Sequence, residues 1–422
     1  MILCLQTSAE QQTAQRRYPT LRWYICALLF FACTINYIDR QVMSLLKEPI
    51  FIDKLGWTQA DFGWVNASFN WAYAIMMPLV GYFIDWIGPK RGYAIAVIMW
   101  SLSAMSHALC RTLGQFAIAR FCLGIGESAN FPAAIRTVAT WFPQDERALA
   151  TGLFNSGTNV GVMVAAFVVP WVIAVTGSWR YAFVFTGTLV GLWLLLWFTG
   201  YQRAPSAVAR RDTPAAKVPY SKLLGSRGAW AFFIGKFLTD PVWWFYLFWL
   251  PGFLNKNFKL DLLHIGAPLI VIYLAADVGS VGGGWLSSAL LKRGVSLNTA
   301  RKVTMLMFAV LVVGAIFVPL TFGNLYLTIA LIGLAAGAHQ GWSANLFTLV
   351  SDIFPENAVA SVVGLGGLGG AIGGALVQPL IGYWLDYSHN SYGLLFIIAG
   401  SMYLLAFVII HLLVPKIERE SL

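Results

Sequence analysis

Apolar residues run through this chain in long blocks separated by short polar stretches. Twelve of the blocks are long enough to cross a bilayer as helices, because about 20 apolar residues rising ~1.5 Å each span the hydrocarbon core. They fall at 22–45, 60–84, 92–110, 113–136, 147–172, 181–200, 229–254, 264–291, 303–320, 325–350, 358–385 and 391–414. The first 21 residues are polar and carry no small-residue cleavage site, so a cytoplasmic tail over 1–21 is expected rather than a removable signal.

The second half of the pattern echoes the first. WFPQDERALATG at 141–152 corresponds to IFPENAVASVVG at 353–364, and Gly157 and Gly161 then keep step with Gly369 and Gly373. GYFIDWIGPKR at 81–91 has a weaker counterpart in GWLSSALLKRG at 284–294. Between the halves, 201–228 is rich in Pro, Ser, Ala and basic residues and reads as a cytoplasmic linker. The expected organisation is an all-α integral membrane protein. A six-helix bundle spans 22–200, a related one spans 229–414, and a short cytoplasmic tail covers 415–422. Binding sites in such repeats lie where the halves meet.

Composition agrees, with 58% hydrophobic and 11% charged residues against the quarter or so typical of soluble domains. The net charge of +10 does not imply a nucleic-acid partner. Lys and Arg concentrate in alternate loops, and the positive-inside rule then puts both termini in the cytoplasm. Five scattered cysteines show no metal or disulfide spacing, and the glycine-rich run at 364–374 lies inside a span, so it is not a nucleotide loop.

Ionisable groups inside spans are costly and are read as functional unless shown otherwise. Here they are Asp39, Arg40, Arg120, Glu127, Lys236, Asp240, Asp277 and His339. Lys236 is close enough to a helix end to snorkel, and Asp240 and Asp277 suit helix caps or a structural pair. Arg120 and Glu127 sit two turns apart on one face, roughly 10 Å along the axis, so each needs a partner from another helix. Asp39 and Arg40 are the candidates, with Asp39 expected to face Arg120. Buried arginines receive carboxylates, and buried carboxylates exchange protons, so this set suits a proton-coupled carrier of organic anions. The bland alternative is a set of ion pairs that only fix helix packing.

Amides and hydroxyls for a polyhydroxylated ligand are available at Asn155, Thr158 and Asn159, and at His339, Gln340, Trp342, Ser343 and Asn345. Tyr73, Tyr246 and Trp249 offer rings for a sugar face.

GYFIDWIGPKR resembles the loop between helices 2 and 3 of the major facilitator superfamily, through Gly81, Asp85, Gly88, Lys90 and Arg91. NYIDR, GESANFPAAIRTVATWFP, ATGLFNSGTNVG and KFLTDPVWWFYLFWLPGFL resemble the anion:cation symporter branch, and most of all its bacterial hexuronate carriers. The resemblance covers about 22–414. It implies a major facilitator fold of 12 helices in two bundles related by a pseudo-two-fold axis, in the bacterial inner membrane. It further implies a monomer in lipid, with a sugar-acid anion and protons as partners and no cofactor beyond H+. Carried over residue by residue, Asp39 and Glu127 become the proton-coupling carboxylates, and Arg40 and Arg120 serve substrate and gating. Tyr73, Asn155, Thr158 and 340–343 line the pocket, and the 81–91 motif works the gate. An aldonate such as galactonate is the alternative substrate. A membrane sensor or a membrane enzyme lacks a signalling domain or a catalytic set to support it.

Overall fold

In hydrocarbon every backbone N–H and C=O must find its partner within its own segment, so apolar blocks of this length fold as helices. A computed structural model describes residues 19–142, 147–201 and 219–420, and the described residues form helices and connecting turns. In the first half these are α1 (Pro19–Leu45), α2 (Gln59–Ile87), α3 (Pro89–Ser106), α4 (Leu113–Glu127), α5 (Asn130–Trp141), α6 (Arg147–Thr176) and α7 (Arg180–Tyr201). The second half holds α8 (Arg227–Phe258), α9 (Gly266–Lys292), α10 (Leu297–Val312), α11 (Leu325–Ile353), α12 (Glu356–Tyr387) and α13 (Gly393–Leu413). Among the described residues, eight helices are long and apolar enough to cross a membrane on those criteria alone. The α4–α5 rod, α2, α8 and α11 complete the twelve crossings. The expected tail over 1–21 and linker over 201–228 lie largely outside the described residues.

Local sequence explains where the rods start and break. Thr58 and Thr112 open α2 and α4 with reciprocal capping boxes to Asp61 and Gln115. Gly88, at φ 85°, makes the one-residue turn from α2 to α3, and Pro89 starts the next helix without needing its missing N–H. The fourth rod, expected to be continuous, is interrupted at Ser128–Ala129. Pro132 lacks the N–H that would bond the Ser128 carbonyl four residues back. Asn130 fills the break, its Oδ1 accepting from Tyr93 Oη at 2.6 Å. The ninth rod tightens into a 3-10 segment, Val313–Thr321, around Pro319. The chain also continues past α1 into a π-turn, Lys47–Ile52.

The repeat seen in the sequence reappears as packing. Gly157 and Gly161 of α6 lie against the α1 backbone at Phe30 and Thr34. Gly369 and Gly373 of α12 lie against the α8 backbone at Phe233 and Phe237 in the same way. Phe142 ends α5 as Phe354 ends α11. The halves then meet along two helix pairs exchanged by the pseudo-symmetry, α2 with α12 and α6 with α9.

The twelve rods alternate in direction, so Pro19 and Leu413 share one face of the molecule, called here the terminal face. Among the described residues, the side-chain bonds joining the halves run from mid-depth to the opposite, far face. At mid-depth Asn159 Nδ2 donates to Asp277 Oδ1 at 2.5 Å, and Gln41 Nε2 donates to the Leu247 carbonyl at 3.1 Å. Farther out Trp64 Nε1 donates to Tyr383 Oη at 3.0 Å, and Asp386 accepts from the Gln59 and Ala60 amides at 2.9 and 2.8 Å. Lys47 is fully buried there, 2.9 Å from Glu48, while Glu48 also reaches Lys256 of the other half at 3.1 Å. Trp249 closes over Lys47 at 4.4 Å and Tyr392 Oη accepts from it at 3.2 Å.

Candidate functional site

The charges of α1 and α4 come together at the meeting face, with a different pairing from the one expected. Arg40 Nε and Nη2 both donate to Glu127 Oε2, at 2.9 and 2.6 Å. Asn36, one turn earlier, accepts from the same Nη2 at 3.4 Å. Four rings surround the guanidinium: Tyr37 at 4.5 Å, Phe69 at 5.0 Å, Trp244 at 5.2 Å and Tyr73 at 5.8 Å. Trp244 belongs to α8, so this buried pair is lidded by the opposite half. Glu127 Oε1 has no hydrogen-bond partner among the described residues.

Arg120 does not meet Asp39. Its Nε points at Met43 Sδ (3.0 Å) and its Nη2 donates to the Arg40 carbonyl (3.3 Å), while Nη1 lacks a partner among the described residues. Asp39 is turned away from the halves' meeting face toward Thr186 of α7, and neither carboxylate oxygen has a hydrogen bond of good geometry among the described residues. The physical reason is helical geometry: neighbours on a helix diverge by about 100°, so Arg40 facing the partner half sends Asp39 into its own bundle. These four residues thus make one closed ion pair, one cation lacking a carboxylate and one carboxylate lacking a cation. Isolated buried charges are expensive. Such an arrangement has capacity for an added anion near Arg120 and Arg40, and for an added proton on Glu127 or Asp39.

The other candidates separate into those near this face and those that are not. Thr158 and Asn159 are buried on α6, with Asn159 committed to Asp277, and Asn155 is half-buried one turn away. Gln340 and Ser343 are half-buried on α11. Tyr73 faces Arg40 as described. Three more face the C-terminal bundle's interior. His339 stacks on Trp243 at 4.8 Å and its Nδ1 meets Tyr403 Oη. Trp342 packs edge-on against Tyr403, and Asn345 Nδ2 ties α11 to α9 by donating to the Gly283 and Gly341 carbonyls at 3.0 and 2.9 Å. Trp249 belongs to the far-face seal, where its Nε1 donates to Gln378 Oε1 at 2.6 Å, and Tyr246 is wholly buried beside Tyr273.

In the 81–91 motif, Gly81 has open space about it and Gly88 makes its turn. Lys90 lies over the Tyr201 ring at 5.9 Å, and its carbonyl accepts from Trp197. Arg91 lies in the first turn of α3, and Asp85 lies in α2 with its side chain outside the described set. Sequence reasoning also misplaced Lys236. It is buried one turn before Asp240, with which it pairs at 2.7 Å.

This two-bundle helical protein, with a buried arginine–glutamate pair in one bundle lidded by the other, matches a family model over most of its length. The model of the Major Facilitator Superfamily matches residues 29–377. The chain belongs to the Major Facilitator Superfamily. It is a multi-pass membrane transporter and not an enzyme.

Among relatives, it is 31% identical over 389 residues to the hexuronate transporter of Escherichia coli (strain K12), covering 88% of this chain and 89% of that one. It is 30% identical over 334 residues to the galacturonate transporter of Dickeya chrysanthemi, covering 75% and 96%. The D-galactonate transporter of Escherichia coli O6:H1 is 28% identical, covering 87% and 89%. Among solved structures, a bacterial homologue of the human lysosomal transporter Spinster, inward-facing and unoccupied, superimposes with a TM-score of 0.68. That structure shares 18% identity, covers 94% of this chain and 95% of its own, and speaks to the fold alone.

Proposed function

We propose that this transporter carries hexuronate anions together with protons by alternating access, with its termini and the 201–228 segment in the cytoplasm. The observation that carries the reading is the Arg40–Glu127 pair, buried in one half and lidded by Trp244 of the other. Its geometry links a proton to an anion. Protonating Glu127 releases the guanidinium of Arg40, and a substrate carboxylate then takes the vacated bonds. The halves re-close only when that cation is neutralised by one carboxylate or the other, because a lone buried charge is too costly to enclose. Arg120, next in line, keeps a donor for the same anion, and Asp39 supplies a second proton site within the bundle. The hexuronate and galacturonate relatives supply the substrate class, and the galactonate relative keeps an aldonate as the second reading.

Uptake into proteoliposomes with an imposed pH gradient, run against a panel of hexuronates, aldonates and aldarates, tests the proposal. Accumulation of a hexuronate that collapses with the gradient supports it, and gradient-independent equilibration overturns the coupling. Stoichiometry reads out electrically. One proton per monoanion moves no charge, whereas two move one charge, to which the potential adds about 2.3 kcal/mol per 100 mV. Clamping the potential at zero with valinomycin slows accumulation only in the two-proton case.

A further inference from the structure

The second half carries a largely buried ion pair on α8, to which the coupling scheme above assigns no task. Lys236 Nζ lies 2.7 Å from Asp240 Oδ1, one turn apart on α8, and the side chains keep 10% and 18% of their surface exposed. The Arg40 and Glu127 side chains keep 3% and 0%. Lys236 and Asp240 are therefore more accessible than Arg40 and Glu127 in this conformation. Trp244, one turn beyond Asp240 on the same helix, is the ring over the Arg40 guanidinium at 5.2 Å.

The pair is also positioned. A Cβ at Gly370 of α12 would collide with Asp240 Oδ2, so the glycine makes the room the carboxylate occupies. A purely structural pair gains little at such a place, since well-packed apolar residues serve a buried seam as well or better.

We propose that Asp240 and Lys236 form the C-terminal half's share of the substrate site and recognise the hydroxyl end of the sugar acid while Arg40 takes its carboxylate. A carboxylate accepts from two neighbouring hydroxyls at once, and an ammonium donates to their oxygens, so the pair reads a vicinal diol. A substrate held this way bridges the halves. Simple monocarboxylates satisfy Arg40 and leave the second half without its contact. The inference rests on the sugar-acid transport proposed above and adds what selects for hydroxyls.

The test pairs protein variants with substrates lacking single hydroxyls. Half-saturation is measured by counterflow for a hexuronate and its monodeoxy analogues in the wild type, in Asp240→Asn and in Lys236→Met/Asp240→Leu. Removing a hydrogen bond to a charged group is expected to raise half-saturation ~10- to 100-fold in each variant. One monodeoxy acid should bind the wild type similarly worse, yet bind the variants no worse than the parent acid does. A swapped pair, Lys236→Asp/Asp240→Lys, keeps an ion pair but misplaces the acceptor and should not rescue affinity. Wild-type half-saturation in the swapped or apolar variant, or hydroxyl and side-chain losses that simply multiply, overturns the assignment. Should Asp240→Asn fail to fold, the apolar pair carries the same comparison. If the wild type takes up none of the panel, the transport reading falls, and this one with it; if it takes up an aldonate instead, the same cycle is run on that acid.

Discussion

Glu48 is the hinge pin of the far-face seal, and Glu48→Gln measures what that seal contributes. The carboxylate sits 2.9 Å from the fully buried Lys47 and 3.1 Å from Lys256 of the other half. Removing its charge has two effects on opening. The bond to Lys256 across the halves weakens, but Lys256 is 28% exposed, so this loss is worth about 1 kcal/mol. Lys47 is left charged in a cage of Trp249 and Tyr392, which opening would hydrate. Breaking a buried pair outright costs about 3–5 kcal/mol, and the remaining acceptors return most of that, leaving roughly another 1 kcal/mol in favour of opening. The sum of about 2 kcal/mol shifts the equilibrium toward a far-face-open state ~30-fold. Spin labels at Leu55 and Tyr387, both exposed and on opposite halves, read it directly by double electron–electron resonance in a cysteine-free background. A new long-distance population in Glu48→Gln is the expected result. An unchanged distance distribution alongside a lowered melting temperature would refute the reasoning and make the cluster a folding element.

Glu127→Gln should abolish gradient-driven accumulation while counterflow persists at a third or more of the wild-type rate; parallel loss of both makes Glu127 a substrate or structural group. Arg40→Lys keeps the charge but loses the Nε donor to Glu127 Oε2, and half-saturation should rise ~10-fold; an unchanged value removes Arg40 from the anion site. Gly63→Val puts a branched side chain where a Cβ would already lie 2.5 Å from the Gln378 carbonyl, so α2 and α12 cannot close at the far face. The same spin-label pair should report separation, with transport reduced at least tenfold, and wild-type transport would show that the seam has slack.

The sequence was legible where one physical rule acts alone. Span length, alternation of direction and the glycine echo follow from lipid solvation and backbone contact, and each reappears in the fold. What it hid depended on neighbours. Periodicity assigns Glu127 a face but not an opposing helix, so Asp39 was matched to Arg120 while Arg40 held the glutamate. Lys47 lies past the end of the first span at 45, yet it is buried by a π-turn that no apolar pattern signals. Lys236 looked near enough to a helix end to snorkel, but α8 begins at Arg227 and Gly370 accepts the pair in the seam. The break after Glu127 had a readable cue in Pro132, inside an otherwise continuous run.

Asp386 of α12 accepts from the first backbone amides of α2, so one bundle finishes a helix that the other begins. Those bonds lie at the rim, where water can replace them one for one as the faces part. Lys47, deeper in, has no such substitute until the gap is wide enough to wet. Opening therefore proceeds as a zipper with a loose outer tooth and a stiff inner one. Solutes that withdraw water from the crevice should slow the inner step and leave the outer one alone.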